Sequence, residues 1–77
     1  MPTILLIKGY RFFFYSNELP PPHIHVEKDS KTAKFNIEDA ELVYSRGFNA
    51  SDIKELRKLV GQNLVFFKNK WDEYFNN

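Results

Sequence analysis

Two runs of alternating side chains, each interrupted by a short polar break, limit this chain to a sheet built from hairpins. "TILLIK" and "YRFFFYS" flank Lys8-Gly9 and are rich in strand-forming residues. In the second strand Tyr10, Phe12 and Phe14 share one face, and Arg11, Phe13 and Tyr15 share the other. "HIHVEK" and "TAKFNI" repeat the pattern around the polar turn "DSK". Ile24, Val26, Ala33, Phe35 and Ile37 point to a core. His23, His25, Glu27, Thr32, Lys34 and Asn36 face away from it. Between the hairpins, "NELPPP" reads as loop, because proline cannot donate to a sheet ladder and restricts the residue before it. "AELVY" fits a short strand or a turn of helix.

The chain then changes period. In "GFNASDI", Asn49 suits a helix N-cap and Asp52 sits at N3, where its charge meets the positive helix end. Phe48 and Ile53 occupy the two positions of a hydrophobic staple. From there Ile53, Leu56, Val60, Leu64, Phe67, Trp71 and Tyr74 recur at spacings of three and four, a stripe suited to covering a sheet. Gly61 is a weak point in it, at about 1 kcal/mol against alanine, and whether the helix runs straight, bends or breaks there stays open. The expected fold is α+β: a small antiparallel sheet of two hairpins and four or five strands, with a long C-terminal helix packed on one face. It is one domain, 1–77, with a β-rich region over 1–48 and the helix over 49–76.

Composition narrows the function. Without cysteine there is no disulfide framework and no thiolate metal site. The longest apolar run near the N-terminus is four residues, too short for a signal segment or a membrane span. A soluble cytoplasmic protein that avoids membranes is therefore expected. The net charge of +1 argues against indiscriminate nucleic-acid binding, although a local basic patch stays open. Eight Phe, four Tyr and one Trp exceed what one face of so small a sheet can bury. That excess points to partner binding or a homodimer.

His23 and His25 stand on one side of a strand, roughly 6.5–7 Å apart along the chain. Three readings compete. Ordinary solvent-facing histidines beside an edge-protecting proline loop are the plainest. Acid–base chemistry is the second: one ring takes a proton while the other gives one, with Arg11, Lys34 or Arg46 supplying charge to a phosphate. A metal site is the third. Glu27 would be its next ligand, but same-face strand positions spread in a row and no further histidine or cysteine completes the shell. Neither a metal nor any other cofactor is expected on that ground. Glu18, in "YSNE", flanks the site from the loop. Lys54, Arg57, Lys58, Lys68 and Lys70 give the helix a basic bias, read as a solvated face or a contact for RNA.

"MPTI", "GYRFFFYSNE", "PPHIHVEK", the "AKF" strand, "RGF" and the closing "W-x-E-Y-F" together resemble a family of short bacterial proteins, domain of unknown function forty-one-sixty. The likeness runs from Met1 to Phe75 and matches the family pattern at Arg11, Tyr15, Glu18, His23, His25, Glu27, Lys34 and Arg46. The chain departs from that pattern in the proline-rich flavour of "NELPPP" and at Gly61, where a charged helix former is usual. The resemblance implies a half of a two-gene cassette, with a partner protein from the adjacent gene, of the kind read as toxin–antitoxin modules. It transfers no proven catalytic residue.

Taken with the residues, this implies a small component of such a module, as a metal-independent endoribonuclease or RNA-binding protein. His23, His25, Arg11, Lys34 and Arg46 are the candidate catalytic set, and Phe13, Tyr15, Glu18 and Glu27 the candidate binding set. The alternative is a non-enzymatic interaction module, antitoxin or scaffold, that grips its partner through an aromatic sheet face or edge.

Overall fold

The turn residues dictate the first hairpin. Lys8 and Gly9 both take positive φ, 53° and 83°, which is the twist a two-residue connection needs between antiparallel strands. In a computed structural model describing residues 3–75, β1 (Thr3–Ile7) and β2 (Tyr10–Phe13) pair directly across this turn, Ile7 opposite Tyr10. The second hairpin joins β3 (His23–Lys28) to β4 (Lys31–Asn36) around Asp29, again at positive φ. "AELVY" resolves as a strand: β5 (Leu42–Arg46) adds to β4 after a tight turn in which Ala40 takes φ 61°. The five strands form an antiparallel meander in chain order. The loop from Phe14 to Pro22 contains a cis Pro20–Pro21 bond, and the Pro22 carbonyl accepts from the Ile37 amide, 3.1 Å.

The helix start forms as its sequence requires. The Asn49 side chain accepts from the Asp52 amide at 2.8 Å, and the Asp52 carboxylate accepts from the Asn49 amide at 3.4 Å. Helix α1 covers Ala50–Gln62 and α2 covers Leu64–Phe75. The long C-terminal helix is thus divided, not at Gly61 but two residues later. Asn63 is the cause: its side-chain amide donates to the Leu59 carbonyl at 2.7 Å, and its backbone N–H bonds Val60 three residues back. The Asn63 carbonyl then accepts from the Phe67 amide, so α2 begins at once. The expected end at 76 lies outside the described residues.

Both helices cover one face of the sheet. Phe12, Phe14, Ile24, Val26, Phe35 and Ile37 are buried there with Leu56, Leu59, Val60, Phe67 and Trp71. Phe12 meets Phe67 with ring centroids 5.4 Å apart, and Phe14 meets Trp71 edge-on at 5.4 Å. Each such side chain is worth about 1.5–3 kcal/mol on burial, which is how so short a chain supports a core. Tyr74, expected in the stripe, is 52 % exposed, while Leu59 takes a buried place the stripe omitted. Among the described residues no helix is long and apolar enough to cross a membrane.

Candidate functional site

The opposite face carries no helix, yet its histidines are not exposed. His23 and His25 are 5 % and 7 % exposed, which overturns the reading of them as solvent-facing. The period-two placement is right; what buries them is the loop after β2, folded back over the end of β3. Tyr15 stands edge-on to the His25 ring at 4.5 Å, and Phe13, the β2 partner of His25, stacks on it at 5.5 Å. His23, at the start of β3, touches both layers, its ring 5.2 Å from Trp71 of α2 and 5.1 Å from His25.

Glu18 comes down from the loop between the two rings. Its Oε1 lies 2.9 Å from Nε2 of His23 and its Oε2 3.2 Å from Nε2 of His25. His25 Nε2 also lies 3.4 Å from Oε1, so it straddles the carboxylate. The other nitrogen of His23, Nδ1, is 2.8 Å from the Pro21 carbonyl. A carbonyl only accepts, so Nδ1 carries the proton, and in the neutral ring Nε2 presents its lone pair. Nε2 is fully buried, and despite its closeness to Glu18 it is off the line a hydrogen bond requires and has no hydrogen-bond partner. One ligand-capable atom from each of Glu18, His23 and His25 lies within 4.8 Å of the others. Burial lowers the His25 pKa, against an opposing pull from Glu18, and so favours its neutral form.

This trio lies beside a groove of about 560 Å³, lined by Glu18, His23, Lys34, Asn36, Val43 and the proline loop. Of the expected residues, the fold brings Glu18, His23, His25, Lys34, Phe13 and Tyr15 together. Lys34 is the cross-strand partner of His25. Arg11 and Glu27 are taken up elsewhere: they pair with each other at 2.8 Å. Arg11 also donates to Thr3 and covers the Phe13 ring at 4.4 Å. The carboxylate beside the histidines is therefore Glu18 and not Glu27, which changes the metal argument. Arg46 pairs with Thr32, two residues along β5 from Tyr44, which pairs with Lys34, and it does not line the groove.

Sequence reasoning missed the Pro21 carbonyl and Trp71 as neighbours of His23. The proline run signalled a stiff approach, but no local pattern states where a backbone carbonyl will point. Lys54, Arg57 and Lys58 rim another hollow with Phe48 and Ile53 at the start of α1.

No curated protein and no solved structure matches the chain. A family model does match, over residues 9–72, from the first turn through the loop, the histidine strand and most of α2. By that match the chain belongs to the family described as Domain of unknown function (DUF4160).

Proposed function

We propose that this protein is the small component of a toxin–antitoxin-like pair and acts on RNA at the groove beside Glu18, His23 and His25. The observation that supports this is the meeting of two buried imidazoles at one carboxylate beside an open groove that also holds Lys34. A buried, titratable constellation of that kind is costly to a fold and suits chemistry better than packing. In RNA cleavage by internal attack, neutral His25 takes the proton from the 2′-hydroxyl as its oxygen bonds to phosphorus. Water in the groove gives a proton to the departing 5′ oxygen, leaving a 2′,3′-cyclic phosphate; Lys34 meets the charge on the phosphate, and His23, its Nδ1 bonded to Pro21, holds its place beside Glu18. Arg11 is committed to Glu27 and Arg46 lies off the groove, so neither is assigned a part.

Incubating the full chain with a mixed-sequence RNA, with and without added divalent ions, tests this reading. Cleavage that disappears in His25→Ala supports it; RNA unchanged under every condition removes it.

A second reading has its own support. Leu6 is 71 % exposed on edge strand β1, and Val43 and Tyr44 are half-exposed on β5, the other edge. A protein from the adjacent gene, or a second copy of this chain, gains backbone pairing and apolar contact at such an edge. Under this reading His23 and His25 tolerate replacement, while charges placed at Leu6 or Tyr44 abolish co-purification with the adjacent gene's product or the dimer.

A further inference from the structure

We infer that Glu18, His23 and His25 form a binding site for one divalent transition-metal ion of the zinc type, with an open coordination position facing the groove. The inference concerns the same residues as the RNA reading and does not rest on it: an ion held on both Nε2 atoms would leave neither free for the acid–base step, so the two are alternatives that the experiment separates.

His23 and Glu18 face each other in a repulsive arrangement. With Nδ1 of His23 donating to Pro21, the lone pair on Nε2 sits in a buried place 2.9 Å from a carboxylate oxygen. Two electron-rich atoms at that distance need a positive charge between them. A proton on His23 would be one answer, but the geometry is not that of a hydrogen bond, and Nε2 stays unpartnered. His25 turns its own Nε2 toward the same carboxylate, 3.2 Å from Oε2 and 3.4 Å from Oε1. A single cation placed among the three atoms satisfies all of them at once.

The spacing agrees. Zinc takes histidine nitrogen and carboxylate oxygen at about 2.0–2.2 Å in a tetrahedron, which sets neighbouring ligand atoms about 3.3–3.5 Å apart. The Glu18–His23 and Glu18–His25 contacts are 2.9, 3.2 and 3.4 Å. No two of the chosen ligand atoms are farther apart than 4.8 Å, a gap that modest side-chain rotation closes. Metal-bound histidines characteristically donate their second nitrogen to a carbonyl or carboxylate, as His23 does to Pro21. Two histidines and one glutamate supply three ligands, the number that leaves a fourth position for water or substrate. Lys34 and Asn36 line the groove next to that position, and their chemistry suits an anionic or hydrogen-bonding group.

The test uses the full chain stripped with a chelator and titrated with Zn²⁺ in a calorimeter at neutral pH, without RNA. Because both histidines of the chain are in the site, other imidazoles contribute no background. One ion per chain is expected, together with a rise in melting temperature. Losing an outer-shell partner typically weakens a metal site by about 10–100-fold, so Glu18→Gln, which removes a ligand, is expected to weaken it by at least about 100-fold. Glu18→Gln keeps the loop's size, and its circular dichroism shows whether the fold is intact. Ni²⁺ supplies a second readout, since the chain's one tryptophan lies beside His23 and its fluorescence should be quenched in the wild type alone. Absence of stoichiometric Zn²⁺ binding overturns the inference, as does undiminished binding by folded Glu18→Gln. Ion binding without RNA cleavage leaves this inference standing and removes the nuclease reading.

Discussion

The two faces of this sheet are buried by different means. Under the helices, Phe12, Ile24, Val26 and Phe35 are fully covered by apolar side chains brought from the far end of the chain. On the other face, His23 and His25 are almost as deeply covered, but chiefly by a loop only a few residues away and around a carboxylate, with Trp71 of α2 reaching His23 alone. The first face is what a small domain needs to fold. The second spends burial on polar groups whose mutual arrangement does not satisfy all of them. That difference separates scaffold from site.

The comparison breaks most readily at its strongest point. Phe35→Ala, on the helix-covered face, is expected to cost about 3–5 kcal/mol, a large share of the stability of a domain this size. Urea denaturation measures it. His25→Phe, on the other face, keeps the stack with Phe13 but puts a larger ring into a covered place, so the expected cost is about 1–3 kcal/mol, with ion binding lost. If His25→Phe unfolds the protein as badly as Phe35→Ala, the open face is a second core and the distinction fails.

Tyr10 sharpens the contrast from the scaffold side. Its hydroxyl donates to Glu55 at 3.2 Å. Burial first, then the bond to Glu55 and the nearby carboxylates, raise its pKa above the usual 10.0. The folded chain then keeps a proton that the unfolded chain releases near pH 10, so stability is present below that pH and is lost as pH rises through the folded value. Tyr10→Phe is expected to cost about 1 kcal/mol at neutral pH and to flatten the alkaline loss, as melting curves at pH 7 and above 10 would record. The smallest effect lies in the helix layer. Gly61 is inside α1 with open space where a Cβ would stand, so Gly61→Ala is expected to stabilise by about 0.5–1 kcal/mol, without altering ion binding.

Much of the scaffold was legible because it is written in local periods. Alternation placed Phe12, Ile24 and Phe35 inward, and the Asn49–Asp52 spacing marked the start of α1. The break at Asn63 was not legible, because it depends on a side chain turning back to compete for a backbone carbonyl. The site was half legible. The histidines and Glu18 stood out by residue type, but strand geometry alone offered Glu27 as their carboxylate. Arg11 captures that residue across the β2–β3 ladder, whereas Glu18 arrives through the path of a loop that no period describes. The same limit hid the burial of the pair, since alternation says which face a residue takes and not what later folds over it.

The groups that meet at the Glu18 carboxylate, the Tyr15 amide and the two imidazoles, come from residues 15–25. These are neighbours along the chain, held by one turn of loop against the start of β3. Trp71, by contrast, reaches His23 from forty-eight positions along the chain. In terms of separation along the chain, the meeting of carboxylate and imidazoles is a local contact, and the packing of Trp71 on His23 is the distant one that seals it.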